Sequence, residues 1–210
     1  MAKISTYAND LNVTTDDRVI GTDNENSNVT KNFLVGDIIS LAESIIVPEL
    51  SNNLYKGSFY DSITQTLTGG ASVGIPVILR TTDSTATNGV SIVSDGTNLT
   101  RITFANAGVY NILFSAQLRN SGGTSQTVDF WLKKNGFSAA ANVPDSNGKV
   151  VLQGNANYLM AAWNYFIRVN ANDYVYLMWT ATSTNVTMVA EAANGVHPAT
   201  PSIIVTANIV

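Results

Sequence analysis

The chain carries a single histidine, His197, and no cysteine, and those two counts remove most of the covalent chemistry open to a protein. Disulfide frameworks, thiolate nucleophiles and zinc sites built from Cys and His lack their ligands. Acyl-transfer triads lose their usual imidazole base. His197 lies in Gly195-Val196-His197-Pro198, between strand signals, and reads as an exposed loop residue rather than a ligand. The carboxylates Asp61, Asp83, Asp95, Asp129 and Asp145 are scattered, with no local pairing that suggests glycoside hydrolysis. Asp16-Asp17, Asp23 and Glu25 lack the spacing and closing Glu of a calcium loop and read as a solvated turn. Gly69-Gly70 and Gly122-Gly123 are not followed by the Lys-Ser/Thr of a phosphate loop. The expectation is therefore no catalytic residue, no cofactor and no metal. What remains is aromatic. Trp131 alternates with an apolar face and is expected to point outward, where an indole could stack on a glycan; Trp163 and Trp179 sit among large residues and read as core or interface.

These residues are carried by a chain of 210 residues in which charged side chains make up 12%, against roughly 25% in ordinary soluble domains. Ser, Thr, Asn and Gln must then supply the polar surface, as suits β-rich, extracellular or virion proteins. A net charge of −4 and no basic cluster beyond Lys133-Lys134 argue against nucleic acid as a partner. MAKIST at the start has no apolar segment behind it, so no signal peptide is expected. No apolar run approaches the roughly 18 residues of a membrane span, so no membrane insertion is expected.

The pattern divides the chain into residues 1–36, 37–54 and 55–210. The first zone is polar, with short apolar bursts, and reads as an attachment segment whose contacts are Val19, Ile20, Val29 and Phe33. The second holds a helix over 37–50, with Asp37 as its N-cap, Ile38, Leu41, Ala42 and Ile45 on one face, and Pro48 as its end. From residue 55 strands follow one another near 57–67, 76–82, 89–94, 98–104, 108–119, 126–134, 149–153, 161–169, 173–181, 185–191 and 201–209. Between them Asn88-Gly89, Asp95-Gly96, Asn135-Gly136, Asn147-Gly148 and Asn194-Gly195 offer positive-φ positions. So many strands with almost no helix mean an all-β sandwich or barrel.

The richest stretch is 98–119. A strand through Ile102 and Phe104 enters the turn Ala105-Asn106-Ala107-Gly108. A long strand follows, with Tyr110, Ile112, Phe114, Ala116 and Leu118 on one side and Val109, Asn111, Leu113, Ser115, Gln117 and Arg119 on the other. The Gly108-x-Tyr110 opening, the Asp173-x-Val175-x-Leu177 strand and the closing strand Pro201 to Ala207 together resemble the TNF/C1q-like jelly-roll family. The resemblance covers residues 57–210. It implies an antiparallel two-sheet jelly roll, with the closing strand in mid-sheet, assembled as a homotrimer through the outer face of one sheet. Carried over by position, the axis-facing residues would be Asn111, Leu113, Ser115 and Gln117. Leu113 would make the apolar contact, and Ser115 and Gln117 would pair across subunits. Asp17 to Asp23 and Asn28 to Phe33 resemble the leading segments of tailed-bacteriophage structural proteins.

Strands 173–181 and 201–210 are apolar on both sides, where a sandwich needs one apolar face. A subunit interface is the expected cover; a loop or the helix lying over the outer face is the alternative. The expected function is that of a bacteriophage virion structural protein on the particle exterior, a head/neck fibre or decoration knob. Its N-terminus would dock on a capsid, neck or tail protein. The alternative is a tail-fibre or tail-tip protein that recognises a host-surface glycan, with Trp131 as a contact.

Overall fold

The structure, a computed structural model, describes residues 13–23, 29–52 and 55–210. The chain divides into two compact units, 1–53 and 54–210.

In the first unit β1 (Arg18–Asp23) and β2 (Val29–Leu34) form an antiparallel hairpin that runs directly into α1 (Val35–Asn52). The helix begins two residues before its expected N-cap. The amides of Val35 and Gly36 donate to the carbonyls of Asp17 and Thr15, both at 2.9 Å. Backbone from the turn before the hairpin thus satisfies first-turn donors that a side-chain cap would otherwise serve. Asp37 lies in the first turn instead, where a carboxylate favours the positive end of the helix dipole. Nor does Pro48 end the helix, which continues to Asn52. Proline's fixed φ is helical, and what it removes is one amide donor.

The second unit is an antiparallel two-sheet jelly-roll sandwich. Its strands are β3 (Lys56–Asp61), β4 (Gln65–Thr66), β5 (Ile75–Pro76), β6 (Thr81–Thr82), β7 (Val90–Ser94), β8 (Leu99–Phe104), β9 (Gly108–Asn120), β10 (Gln126–Lys134), β11 (Gly148–Leu152), β12 (Asn157–Val169), β13 (Tyr174–Ala181), β14 (Val186–Met188) and β15 (Ile203–Ile209). One sheet runs β11-β10-β13-β8-β7, with β5 beside β13. The other runs β4-β14-β9-β15-β3-β6, with β12 along the free side of β9. Strands far apart in sequence are therefore neighbours, which is the jelly-roll signature.

Alternation sets the core. Tyr110, Ile112, Phe114, Ala116 and Leu118 of β9 are all buried, and they meet Val128, Phe130 and Leu132 of β10 across the sandwich. Phe114 lies 4.8 Å from Phe130, 5.8 Å from Trp163 and 6.1 Å from Tyr165, ring centre to ring centre. Burial in this cluster pushes the Tyr165 phenol up to about 12. Tyr110 packs on Phe104 at 4.5 Å, and its hydroxyl donates to the Asn106 carbonyl at 3.2 Å, pinning the turn that precedes its own strand.

Three expected strands are shorter or broken. The stretch 57–67 splits into β3 and β4, because the Asp61 carboxylate accepts the Ile63 amide at 3.1 Å and turns the chain. The stretch 76–82 crosses between sheets: β5 pairs with β13 and β6 with β3, while Val77 and Leu79 fill the core between them. The stretch 185–191 keeps its ladder over Val186–Met188 alone. Asp61 is fully buried and holds Arg80 and Gln65 as well as the Ile63 amide. A buried carboxylate needs this many donors to stay in place.

Of the expected turn glycines, Gly89 and Gly96 adopt positive φ, at 69° and 109°. At Asn135-Gly136 the asparagine takes that conformation, with φ 56°. Asn147-Gly148 and Asn194-Gly195 do not use it. Gly148 instead lets the Trp163 ring come close, since a Cβ there would meet its Cε2 at 2.9 Å.

Candidate interaction surfaces

The outward residues of β9, β15 and β12 lie in rows set by the ladders. Leu113 is opposite Thr206 on one side and Asn164 on the other; Ser115 is likewise flanked by Ile204 and Ala162. Leu113 is 47% exposed, Ile204 41%, Met160 61% and Phe166 64%. A shallow hollow of about 120 Å³ sits between Leu113, Ser115, Ala162, Ile204 and Thr206. The side chains of Asn111, Ser115 and Gln117 make no hydrogen bond among the described residues, and Asn111 Oδ1 and Arg119 Nε are buried without a partner. The outward positions from Asn111 to Gln117, Met160 to Phe166 and Ile204 to Thr206 include no charge. Thus the four residues expected on the axis share one face, with an apolar centre and unsatisfied polar atoms around it.

The outer face of the other sheet is different. Tyr176 and Met178 point outward from β13 yet are buried. What covers Tyr176 is the chain's own loop after β10, not a second subunit: Phe137 stacks on it at 4.2 Å. Lys133 is 8% exposed, and its ammonium donates to the carbonyls of Phe137 (2.6 Å) and Ser138 (2.9 Å). Arg101 completes the cover, with its guanidinium over the Tyr174 ring at 4.8 Å and its Nε bonded to the Tyr176 hydroxyl at 2.9 Å. For β13 the expectation of a subunit interface is therefore corrected to a self-covering loop. Tyr176 presents a hydroxyl to Arg101 and a ring face to the loop, and Tyr174 presents a ring face to Arg101.

The same loop is pinned further along. The Val143 amide donates to the Leu132 carbonyl at 2.9 Å, the Leu132 amide to Ser146 Oγ at 3.0 Å, and Ser146 Oγ in turn to the Val143 carbonyl at 2.8 Å. Between this loop and β10 lies an open cavity of about 780 Å³, lined among others by Asp129, Trp131, Asn142, Asp145, Asn147 and Thr180. Trp131 does lie on the outward side, half-buried, with Nε1 donating to Asn142 Oδ1 at 3.1 Å. Gly74 fits against its ring where a Cβ would come within 2.5 Å of Cη2. Asn147 Nδ2 donates to Asp129 Oδ1 at 3.0 Å, and Lys149 stands 3.6 Å from the same carboxylate. Two of the scattered carboxylates, Asp129 and Asp145, thus share one cavity, a meeting that sequence spacing did not reveal. Trp163 and Trp179 lie in the core, Trp179 fully buried.

At the opposite end of β13, Asp173 binds Lys134 at 2.8 Å, the Asn135 amide group at 2.7 Å and the Asn170 backbone amide at 2.7 Å. Burial pushes its carboxyl up, but these partners outweigh it and hold it at about 2. His197 is exposed, its ring held between Asn194 and the Pro198 carbonyl, both at 2.8 Å.

In the first unit, Val19 is 47% exposed, Ile20 72% and Phe33 36%. Val19 pairs with Phe33 across the hairpin, and the Phe33 ring leans over Gly21. Val29 faces Asp23 in the ladder; its side chain lies outside the described residues, as does Glu25. Ile38 and Leu41 of the expected helical stripe are exposed.

No protein-family model matches the chain, and no curated protein matches it. Among solved structures, Eiger TNF from S. frugiperda is similar, with a TM-score of 0.46 and 10% sequence identity over 75% of this chain and 92% of that one. The strand order itself identifies the jelly roll.

Proposed function

We propose that the chain is a non-catalytic structural protein that assembles as a homotrimer through the outer face of the β12-β9-β15-β3 sheet and displays its jelly-roll knob on the exterior of a bacteriophage virion. The observation that carries the assembly is the contrast between the two outer faces. One has its large outward aromatic, Tyr176, covered by its own loop; the other keeps Leu113, Ile204, Met160 and Phe166 exposed around a charge-free centre. Charge depletion with an apolar middle and a polar rim is how interface cores differ from ordinary surface. A second and third copy would cover Leu113 and Ile204 and offer partners to Asn111, Ser115 and Gln117.

The resemblance of residues 57–210 to TNF/C1q-like jelly rolls implies a trimer of non-catalytic domains. The single histidine and the absence of cysteine point the same way. The virion location rests on the resemblance of residues 17–33 to phage leading segments. Val19, Ile20 and Phe33 are exposed there and are the residues that would meet a capsid, neck or tail protein. Light scattering on the purified full chain tests the assembly: a trimer mass is expected, and a monomer at micromolar concentration overturns it. Immunogold labelling of particles tests the location, with label on the exterior expected and none on intact particles overturning it.

A further inference from the structure

The cavity beside Trp131 lies within one chain and is not used by the trimer face. Its shape is fixed before any ligand arrives, because Val143 and Ser146 tie the loop to Leu132, Asn142 accepts from the indole, and Gly74 abuts the ring. A preformed concave site avoids the ordering cost that weakens flexible ones.

The groups left over after these internal bonds define the ligand. Asn142 keeps its amide N–H groups, Asn147 keeps its side-chain carbonyl, and Asp129 keeps a second carboxylate oxygen. Asp145, exposed in the loop at φ 59°, has a carboxylate with no partner. Thr180, in the same lining, carries a buried hydroxyl that no group among the described residues satisfies. Acceptors therefore outnumber donors, which suits a ligand rich in hydroxyl groups. An anion would meet two carboxylates with the one nearby cation already engaged. An apolar ligand would strip water from those carboxylates without replacing it. No group of three metal-ligating side chains occurs among the described residues. What fits is a molecule with hydroxyls on its edges and C–H groups on its faces for the indole. Neither carboxylate is enclosed as a general acid must be: Asp145 is on an exposed loop and Asp129 is held by Asn147 and Lys149.

We propose that the cavity between β10 and the 142–147 loop binds a neutral saccharide, with Trp131 packing on the sugar ring and Asn142, Asp145 and Asn147 bonding its hydroxyls. The test is saturation-transfer NMR with tryptophan fluorescence titration on the full chain. The probes are a panel of aldohexoses, N-acetylhexosamines and their disaccharides. At least one sugar is expected to bind and to receive saturation on its ring C–H protons. Affinity should fall at least about tenfold in Trp131→Ala. Because Trp131 also packs on Gly74, Asp145→Gly serves as the second variant: glycine accepts the positive φ, and removing one charged hydrogen bond should weaken binding about tenfold. No binding by any sugar of the panel, or binding that survives both substitutions, overturns the proposal. So does tighter, salt-sensitive binding of an arginine tripeptide amide, which would mark a cationic peptide site. Release of reducing sugar from the bound disaccharides would overturn binding without turnover. Mass measured on the same samples keeps this result separate from the trimer: a monomer that binds sugar removes the trimer and leaves the saccharide site.

Discussion

The two sheets of the sandwich are built from strands of the same kind, each alternating between the core and an outer face, yet their outer faces are finished in opposite ways. On β13, the outward Tyr176 is buried by Phe137, and Lys133 holds the covering loop by its carbonyls. On β9, β12 and β15, Leu113, Phe166 and Ile204 are left bare, and the side chains of Asn111, Ser115 and Gln117 have no partner among the described residues. The difference teaches that an apolar outer face is not by itself an interface. The chain lays residues 135–147 over the Tyr176 part of one such face; no loop lies over the other among the described residues, and the proposed trimer would cover it.

The sharpest way to break the comparison is to charge both faces. Leu113→Arg should abolish the trimer, since an unpaired charge buried at an interface costs about 3–5 kcal/mol per copy. Val151→Arg, at a 59% exposed site on the outer face of the other sheet, should leave the mass unchanged and stability within about 0.5 kcal/mol. Light scattering and denaturant titration read both. A trimer surviving Leu113→Arg would place the contact elsewhere.

Next in size is the clamp on the covered face. Lys133→Met removes two charge-assisted bonds and should cost about 2–3 kcal/mol, with faster proteolysis within residues 135–147. Mass should not change. Phe137→Ala uncovers Tyr176, while Phe137 is itself 48% exposed, so a loss of about 1–2 kcal/mol is expected by thermal melting.

The smallest effect is with acid. Asp173 is held at about 2 against an ordinary 3.8. A folded pKa below the unfolded one means the stabilisation is complete above 3.8 and is lost as pH falls through 2. Asp173→Asn should therefore flatten the stability profile across that window and nowhere else. Thermal melts at descending pH decide it. A profile unchanged by the substitution would show that Lys134, Asn135 and Asn170 do not depend on the charge.

Much of this was legible in the sequence because it depends on period. The alternation through 108–119 assigns Tyr110 to Leu118 inward and Asn111 to Gln117 outward, and the structure keeps every one of those sides. Trp131 was placed outward on the same basis. What was not legible depends on encounters between distant segments. The loop over Tyr176 has no periodicity to announce it, and its anchors are carbonyls of Phe137 and Ser138. The helix starts early because the Thr15 and Asp17 carbonyls reach it. Asp129 and Asp145 share a cavity because Ser146 folds the loop back on Leu132. A carbonyl carries no residue identity, so a contact made by one leaves no trace in the pattern of side chains.

The position of β15 bears on how the molecule comes into being. It lies between β9 and β3, and Ser202, just before it, bonds Asp61 across 141 residues of sequence. While the ribosome is still making the intervening strands, β3 and β9 each lack the neighbour they will share, so the half-made sheet exposes two sticky edges. Closure requires contacts of high sequence separation, which fold slowly and leave time for wrong pairings. The yield of native protein in a cell should then depend more on how that wait is protected than on the stability finally reached.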